Sequence, residues 1–103
     1  MLEDAETVIV TYGSVARSAK FAVKYARNLG KRVGLLKLIT IWPFPVRPVK
    51  RLVEHVRKIL VPEMNLGQLV LEVERVISGK ADVIPLNRVD TELISPDEIL
   101  KKL

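Results

Sequence analysis

A parallel α/β sheet covered by helices on both faces is the architecture this sequence predicts, and three observations predict it. Short β-branched runs alternate four times with segments of helical period. The strand candidates are nearly continuous in apolar residues, as strands buried on both faces tend to be. Glycine, serine, asparagine or proline stands at most of the junctions where one period gives way to the other. The chain has 103 residues, 49% of them hydrophobic and 28% charged, enough for one core and not for two. The expectation is a single α/β domain of three layers, α/β/α, with a mainly parallel sheet of four strands and room for one further edge strand.

The first strand is Thr7 to Tyr12, a β-branched and aromatic run that ends at Gly13-Ser14. In the helix that follows, Val15, Ala16, Ala19, Ala22, Val23, Ala26 and Leu29 fall on one stripe, while Arg17, Lys20, Lys24 and Arg27 face away. Ser14 is placed to cap this helix and Gly30 to end it. The alanine-rich stripe implies close packing on a sheet. Arg32 to Thr40 is the second strand candidate, stopped by Ile41-Trp42-Pro43-Phe44-Pro45 because proline cannot donate to a ladder. A second helix carries Val49, Leu52, Val53 and Val56, with Pro48 tolerable near its first turn. Lys58 to Pro62 is a short third strand, followed by the loop Glu63-Met64-Asn65. Leu66, Leu69, Val70, Val73, Val76 and Ile77 stripe a third helix that ends at Gly79, and Ala81 to Leu86 is a fourth strand whose Pro85 suits a sheet edge. Ser95-Pro96-Asp97-Glu98 combines a capping serine, a proline at the first helical position and a glutamate three residues on, the signature of a short closing helix.

Composition excludes several classes. There is no cysteine, which removes disulfide scaffolds and thiolate-ligated metal clusters. The longest apolar stretch, 34–46, is interrupted by Lys37 and broken by Pro43 and Pro45, far short of the ~20 apolar residues of a membrane span. The acidic beginning, Met1 to Glu6, is unlike a secretory signal, so the expected compartment is the cytoplasm. A formal charge of +5 invites a nucleic-acid reading, but the Lys and Arg residues are dispersed at spacings that put them on solvent faces of helices, and no nucleic-acid or membrane partner is expected. One Gln and three Asn beside many Lys, Arg and Glu is a composition of heat-adapted proteins.

Ligands of open parallel sheets gather at the carboxyl ends of strands, which directs attention to Gly13-Ser14, to Ile41–Pro45 and to Glu63–Asn65. Gly13 and Ser14 open a helix whose free amides suit an anion, yet Gly-Ser is also an ordinary turn and cap. Glu63 and Asn65 could face a ligand, whereas Asn65 as cap of the third helix needs none. His55, the single histidine, sits beside Glu54 and Arg57 on a charged helix side and reads as a surface residue. With one histidine and no cysteine, the sequence offers no nucleophile–base dyad and no metal set, so no catalytic, cofactor-binding or metal-ligating residue is expected. The loop holding Trp42 and Phe44 between prolines either folds back over its own sheet edge or is covered by a partner.

Tyr12-Gly13-Ser14-Val15-Ala16-Arg17-Ser18, Leu38-Ile39-Thr40-Ile41-Trp42-Pro43-Phe44-Pro45 and Val61-Pro62-Glu63-Met64-Asn65-Leu66-Gly67-Gln68, continuing into Glu92-Leu93-Ile94-Ser95-Pro96, together resemble the C-terminal domain of the alpha subunit of 2-oxoacid:ferredoxin oxidoreductases, most closely the 2-oxoglutarate type. The resemblance implies a transketolase C-terminal-like fold with parallel strands in the order second, first, third, fourth, which brings Gly13-Ser14 beside Glu63-Met64-Asn65 and near Trp42. It further implies an enzyme that oxidatively decarboxylates a 2-oxoacid on thiamine diphosphate and Mg2+, passes electrons through an iron–sulfur cluster to ferredoxin and delivers the acyl group to coenzyme A. Those cofactors would be held by other domains or subunits and none by this chain alone. Family alpha subunits are several times longer, so the resemblance makes this chain a fragment or a separately encoded domain. The expected role is an assembly domain whose partners are the remaining domains and subunits, docking through Gly13, Ser14, Trp42, Phe44, Glu63, Met64 and Asn65. The alternative is an independent small-anion or nucleotide-binding module built on the helix start at Ser14.

Overall fold

The computed structural model describes residues 4–13, 15–38, 45–63, 68–87 and 94–103. Four strands, β1 (Thr7–Tyr12), β2 (Val33–Leu38), β3 (Lys58–Glu63) and β4 (Asp82–Asn87), form one sheet in the order β2-β1-β3-β4. Every pairing is parallel. Four helices, α1 (Val15–Asn28), α2 (Val46–Arg51), α3 (Gln68–Ile77) and α4 (Pro96–Leu100), complete the described elements. The strand order is the one the resemblance implied, and the proline-bearing β4 is an edge strand, where a missing N–H costs no ladder bond.

Side-chain alternation along the strands builds two cores from one sheet. Val8 and Val10 of β1, Leu38 of β2, and Ile59 and Val61 of β3 face α2 and α3, meeting Val49, Leu52, Leu69, Val70, Val73 and Ile77. Ile9, Val33 and Leu60 face the other way, against α1 and α4. On that side α1 contributes Val15, Ala19, Ala22, Val23 and Ala26, so a stripe of small residues lets the helix lie close to the strands.

Several boundaries differ from the sequence expectation, among them β2, which begins at Val33 rather than Arg32, and β4, which spans Asp82–Asn87 rather than Ala81–Leu86. Leu29, expected on the α1 stripe, is 63% exposed, because α1 ends at Asn28 and Gly30, with φ of +85°, reverses the chain there. The second helix stops at Arg51 and tightens into a 3-10 turn over Leu52–Glu54, while Val56 remains buried beyond it. Pro48 sits in the first turn of α2, where helical N–H groups have no intrahelical partner to lose. The third strand runs one residue further than expected, to Glu63.

At its far end the chain closes as the serine–proline signature predicts. Ser95 Oγ accepts from Glu98 N, and the Glu98 carboxylate accepts from Ser95 N, a complete capping box. The cap fixes α4 so that Ile99, fully buried, packs with the α1 core. The exposed basic side chains lie mostly on helix surfaces and turns, as the spacing predicts; Arg27 is half-buried.

Candidate functional site

The chain direction along the sheet reverses between β1 and β3, where ligands of open α/β sheets collect. Here the sheet also opens. β1 pairs with β2 over six residues and β3 with β4 over six, but β1 and β3 pair only through Thr7–Ile9 and Lys58–Leu60. Pro62, lacking an N–H, stands in the half of β3 beyond that ladder. The carboxyl-end halves of the two central strands, Val10–Tyr12 and Val61–Glu63, are thus outside the shared ladder.

Gly13 lies directly after β1 with φ of +73°, and nothing stands within 4 Å of where a Cβ would be. Glycine is required by this turn's backbone conformation rather than by crowding. Its carbonyl accepts from Ala16 N at the start of α1. One strand over, Glu63 is 5% exposed, and its carboxylate bridges two amides of α3: Leu69 N donates to Oε1 at 2.9 Å and Val70 N to Oε2 at 3.0 Å. These are second and third residues of the helix, whose amides lack intrahelical acceptors, and a carboxylate there also complements the positive end of the helix.

The start of α3 is thus held by Glu63, whereas Asn65, expected as its cap, lies outside the described residues. Both amides that a side-chain cap would engage are taken by Glu63, and α3 begins at Gln68, three residues beyond Asn65. The same two bonds remove Glu63 from the exposed face on which it was expected, because its carboxylate is turned inward. The helix start at α3 carries its own anion. Ser14, Trp42, Phe44, Met64 and Asn65 lie outside the described residues.

Thr11, one residue from the end of β1, is fully buried, and its hydroxyl makes no hydrogen bond among the described residues. Sequence patterning missed it, since a threonine in a β-branched run reads only as a strand former. His55 is exposed at the end of the 3-10 turn, as expected. Among the described residues no three His, Asp or Glu side chains gather as a metal site, and no helix is long and apolar enough to cross a membrane. The depressions these residues line include one of about 330 Å³ against Glu6, Lys31, Arg32 and Val33, at the amino ends of the strands and away from the opening between β1 and β3.

Residues 5–99 match the family model described as pyruvate:ferredoxin oxidoreductase core domain II. The chain belongs to this family. A 2-oxoglutarate synthase subunit KorA from Methanothermobacter marburgensis is 46% identical over 101 residues, covering 98% of this chain and 27% of the relative. The corresponding subunit of Methanocaldococcus jannaschii is 46% identical over 96 residues, covering 93% and 26%. A ketoisovalerate oxidoreductase subunit VorB from Methanothermobacter marburgensis is 42% identical over 103 residues, covering all of this chain and 29% of that subunit. The chain therefore spans about a quarter of the length of the curated relatives it matches. Among solved structures, the 2-oxoglutarate:ferredoxin oxidoreductase from Magnetococcus marinus, with 2-oxoglutarate, coenzyme A and succinyl-CoA bound, superposes with a TM-score of 0.77 at 22% identity, over 96% of this chain and 17% of that one. A split-gene transketolase, an inactive beta4 tetramer, superposes at 0.75 with 17% identity, over 96% and 34%. At these identities the superpositions establish the core domain II architecture as a fold shared with transketolase.

The cofactors of such an enzyme find few donors in this member of the family. An iron–sulfur cluster needs thiolates, and the chain has no cysteine. Mg2+ with a diphosphate needs clustered oxygen donors; no such cluster occurs among the described residues, and Glu63, at the end of β3, is committed to α3.

Proposed function

We propose that this chain is a noncatalytic assembly domain of a thiamine-diphosphate-dependent 2-oxoacid:ferredoxin oxidoreductase in the cytoplasm, the enzyme converting a 2-oxoacid of the 2-oxoglutarate class to its acyl-CoA with ferredoxin as electron acceptor. The observation that carries the reading is 46% identity to a 2-oxoglutarate synthase subunit across nearly the whole chain, over only 27% of the relative. Thiamine diphosphate, Mg2+, the cluster and coenzyme A belong on this reading to the other domains and subunits, and the chain's own contribution is a rigid α/β surface. The loops around Gly13-Ser14, Trp42-Phe44 and Met64-Asn65 are the proposed contacts at the carboxyl ends of the strands, with Trp42 and Phe44 as anchors because a proline-bounded loop loses little entropy on association. The alternative of a free-standing anion module built on the helix start at Ser14 is disfavoured by the same relatives, which are oxidoreductase subunits about four times as long as this chain.

The test is to assay the purified chain alone with 2-oxoglutarate, pyruvate or 2-oxoisovalerate, coenzyme A, thiamine diphosphate, Mg2+ and a viologen acceptor. No turnover above buffer is expected. Dye reduction that depends on both 2-oxoacid and protein concentration would overturn the noncatalytic reading.

A further inference from the structure

Helix α1 faces the sheet with one half of its surface, and the outward half is divided lengthwise. Phe21, Tyr25 and Leu29 follow one another at four-residue spacing from the middle of α1 into the turn that ends it, and are 63%, 51% and 63% exposed. At 100° per residue the exposed Arg17, Lys20 and Lys24 fall along the adjoining flank. Helix α1 contains no Asp or Glu, so these cations have none of the carboxylates at i±4 that ordinarily accompany lysines on a solvated helix. A fourth cation, Arg27, is engaged with Asp4 from outside the helix.

We infer that this apolar-and-basic face of α1 docks onto an apolar surface rimmed by carboxylates on another domain or subunit of the same oxidoreductase, an inference that rests on the assembly reading above. Charge decides the occupant. A second copy of α1 would bring no Asp or Glu to this flank, so Arg17, Lys20 and Lys24 would meet no carboxylate from it across the apolar stripe. Size points the same way: three side chains at this exposure present on the order of 300 Å² of apolar surface, well below the ~800 Å² per partner of a free-standing interface. The stripe is therefore one contact in a larger assembly, where other surfaces supply the remaining area. A membrane-surface helix buries a broader apolar face than three residues provide.

The experiment compares oxidative footprinting of Phe21 and Tyr25 in the purified chain and in the whole oxidoreductase isolated through a tag on this chain, with Leu71 on α3, 65% exposed on the opposite side of the sheet, as reference. Protection of Phe21 and Tyr25 by tenfold or more relative to Leu71 is expected. A Lys20→Glu/Lys24→Glu variant should lose at least tenfold in association with the other subunits while melting like wild type. If the tagged chain purifies without 2-oxoacid oxidoreductase subunits, the assembly reading fails and this inference with it. If the enzyme assembles but Phe21 and Tyr25 react as in the free chain, the inference alone fails. Assembly unchanged in the double variant, together with loss of binding to phosphatidylglycerol vesicles, would overturn it in favour of a membrane surface.

Discussion

Replacing Glu63 with alanine tests how the third helix is held to the switch point. The wild-type carboxylate lies 2.9 Å from Leu69 N and 3.0 Å from Val70 N, and Leu69 and Val70 are 1% and 6% exposed. Water cannot readily replace an acceptor there. Hydrogen bonds to charged groups contribute about 1.5–3 kcal/mol each, and loss of a helix cap costs about 0.5–2 kcal/mol. The two bonds are not additive, since one carboxylate makes both, so Glu63→Ala is expected to destabilise by roughly 2–4 kcal/mol. For a domain of this size that is a fall in Tm of roughly 10–25 °C. Glu63→Gln keeps one acceptor and turns an amide donor toward a helical N–H, so it should fall between alanine and wild type. Glu74→Ala, on the exposed side of α3, should stay within about 0.5 kcal/mol. Circular dichroism melts and urea titrations at 222 nm provide the readout. A Glu63→Ala protein melting within about 2 °C of wild type would refute the reasoning.

Asn65→Ala should change stability by no more than about 0.5 kcal/mol in the same melts, because the amides it was expected to cap are occupied. Ser95→Ala should cost about 0.5–2 kcal/mol by opening the capping box, and a melt indistinguishable from wild type would mean that α4 is held by Ile99 alone. The Arg27 guanidinium donates to Asp4 and holds its carboxyl below the usual carboxylate range. A carboxylate with a lowered folded pKa contributes stability that is present above its unfolded pKa, near 3.9, and lost as pH falls through the folded value. The Tm difference between wild type and Asp4→Asn should therefore be constant near neutrality and close in acid; a difference that widened there would contradict the pairing. Trp42→Ala is expected to weaken association with the other subunits by about 2 kcal/mol or more while leaving Tm nearly unchanged, to be checked by titration calorimetry beside a melt.

The fold was legible because apolar period changes cleanly at each junction. Thr7–Tyr12 was delimited to the residue by its own composition and by Gly13, and the Ser95 signature by its spacing. Strand order was not legible in periodicity, because period two fixes which face a residue takes and not which strand lies beside it; it came from the resemblance. Leu29 was misplaced because a periodic stripe has no intrinsic end, and its last member swings outward once the helix stops at Asn28. Glu63 was misread for a different reason. A glutamate in a strand-end loop looks solvent-facing in sequence, and only the three-dimensional return of α3 over the end of β3 brings its carboxylate to Leu69 and Val70. The face of Phe21 and Tyr25 went unremarked because the alanine stripe alone accounts for the amphipathicity of α1.

The central claim, that this chain is required by a 2-oxoacid:ferredoxin oxidoreductase without performing its chemistry, meets its most direct test in reconstitution. The rest of the enzyme would be prepared lacking the segment that these 103 residues provide, whether it belongs to a longer subunit or stands alone, and coenzyme A-dependent reduction of a viologen by 2-oxoglutarate followed as the chain is added back. Activity should be near background in its absence and rise to saturation at one chain per active unit. Full activity before any addition, or none after saturation with a folded chain, would contradict the claim.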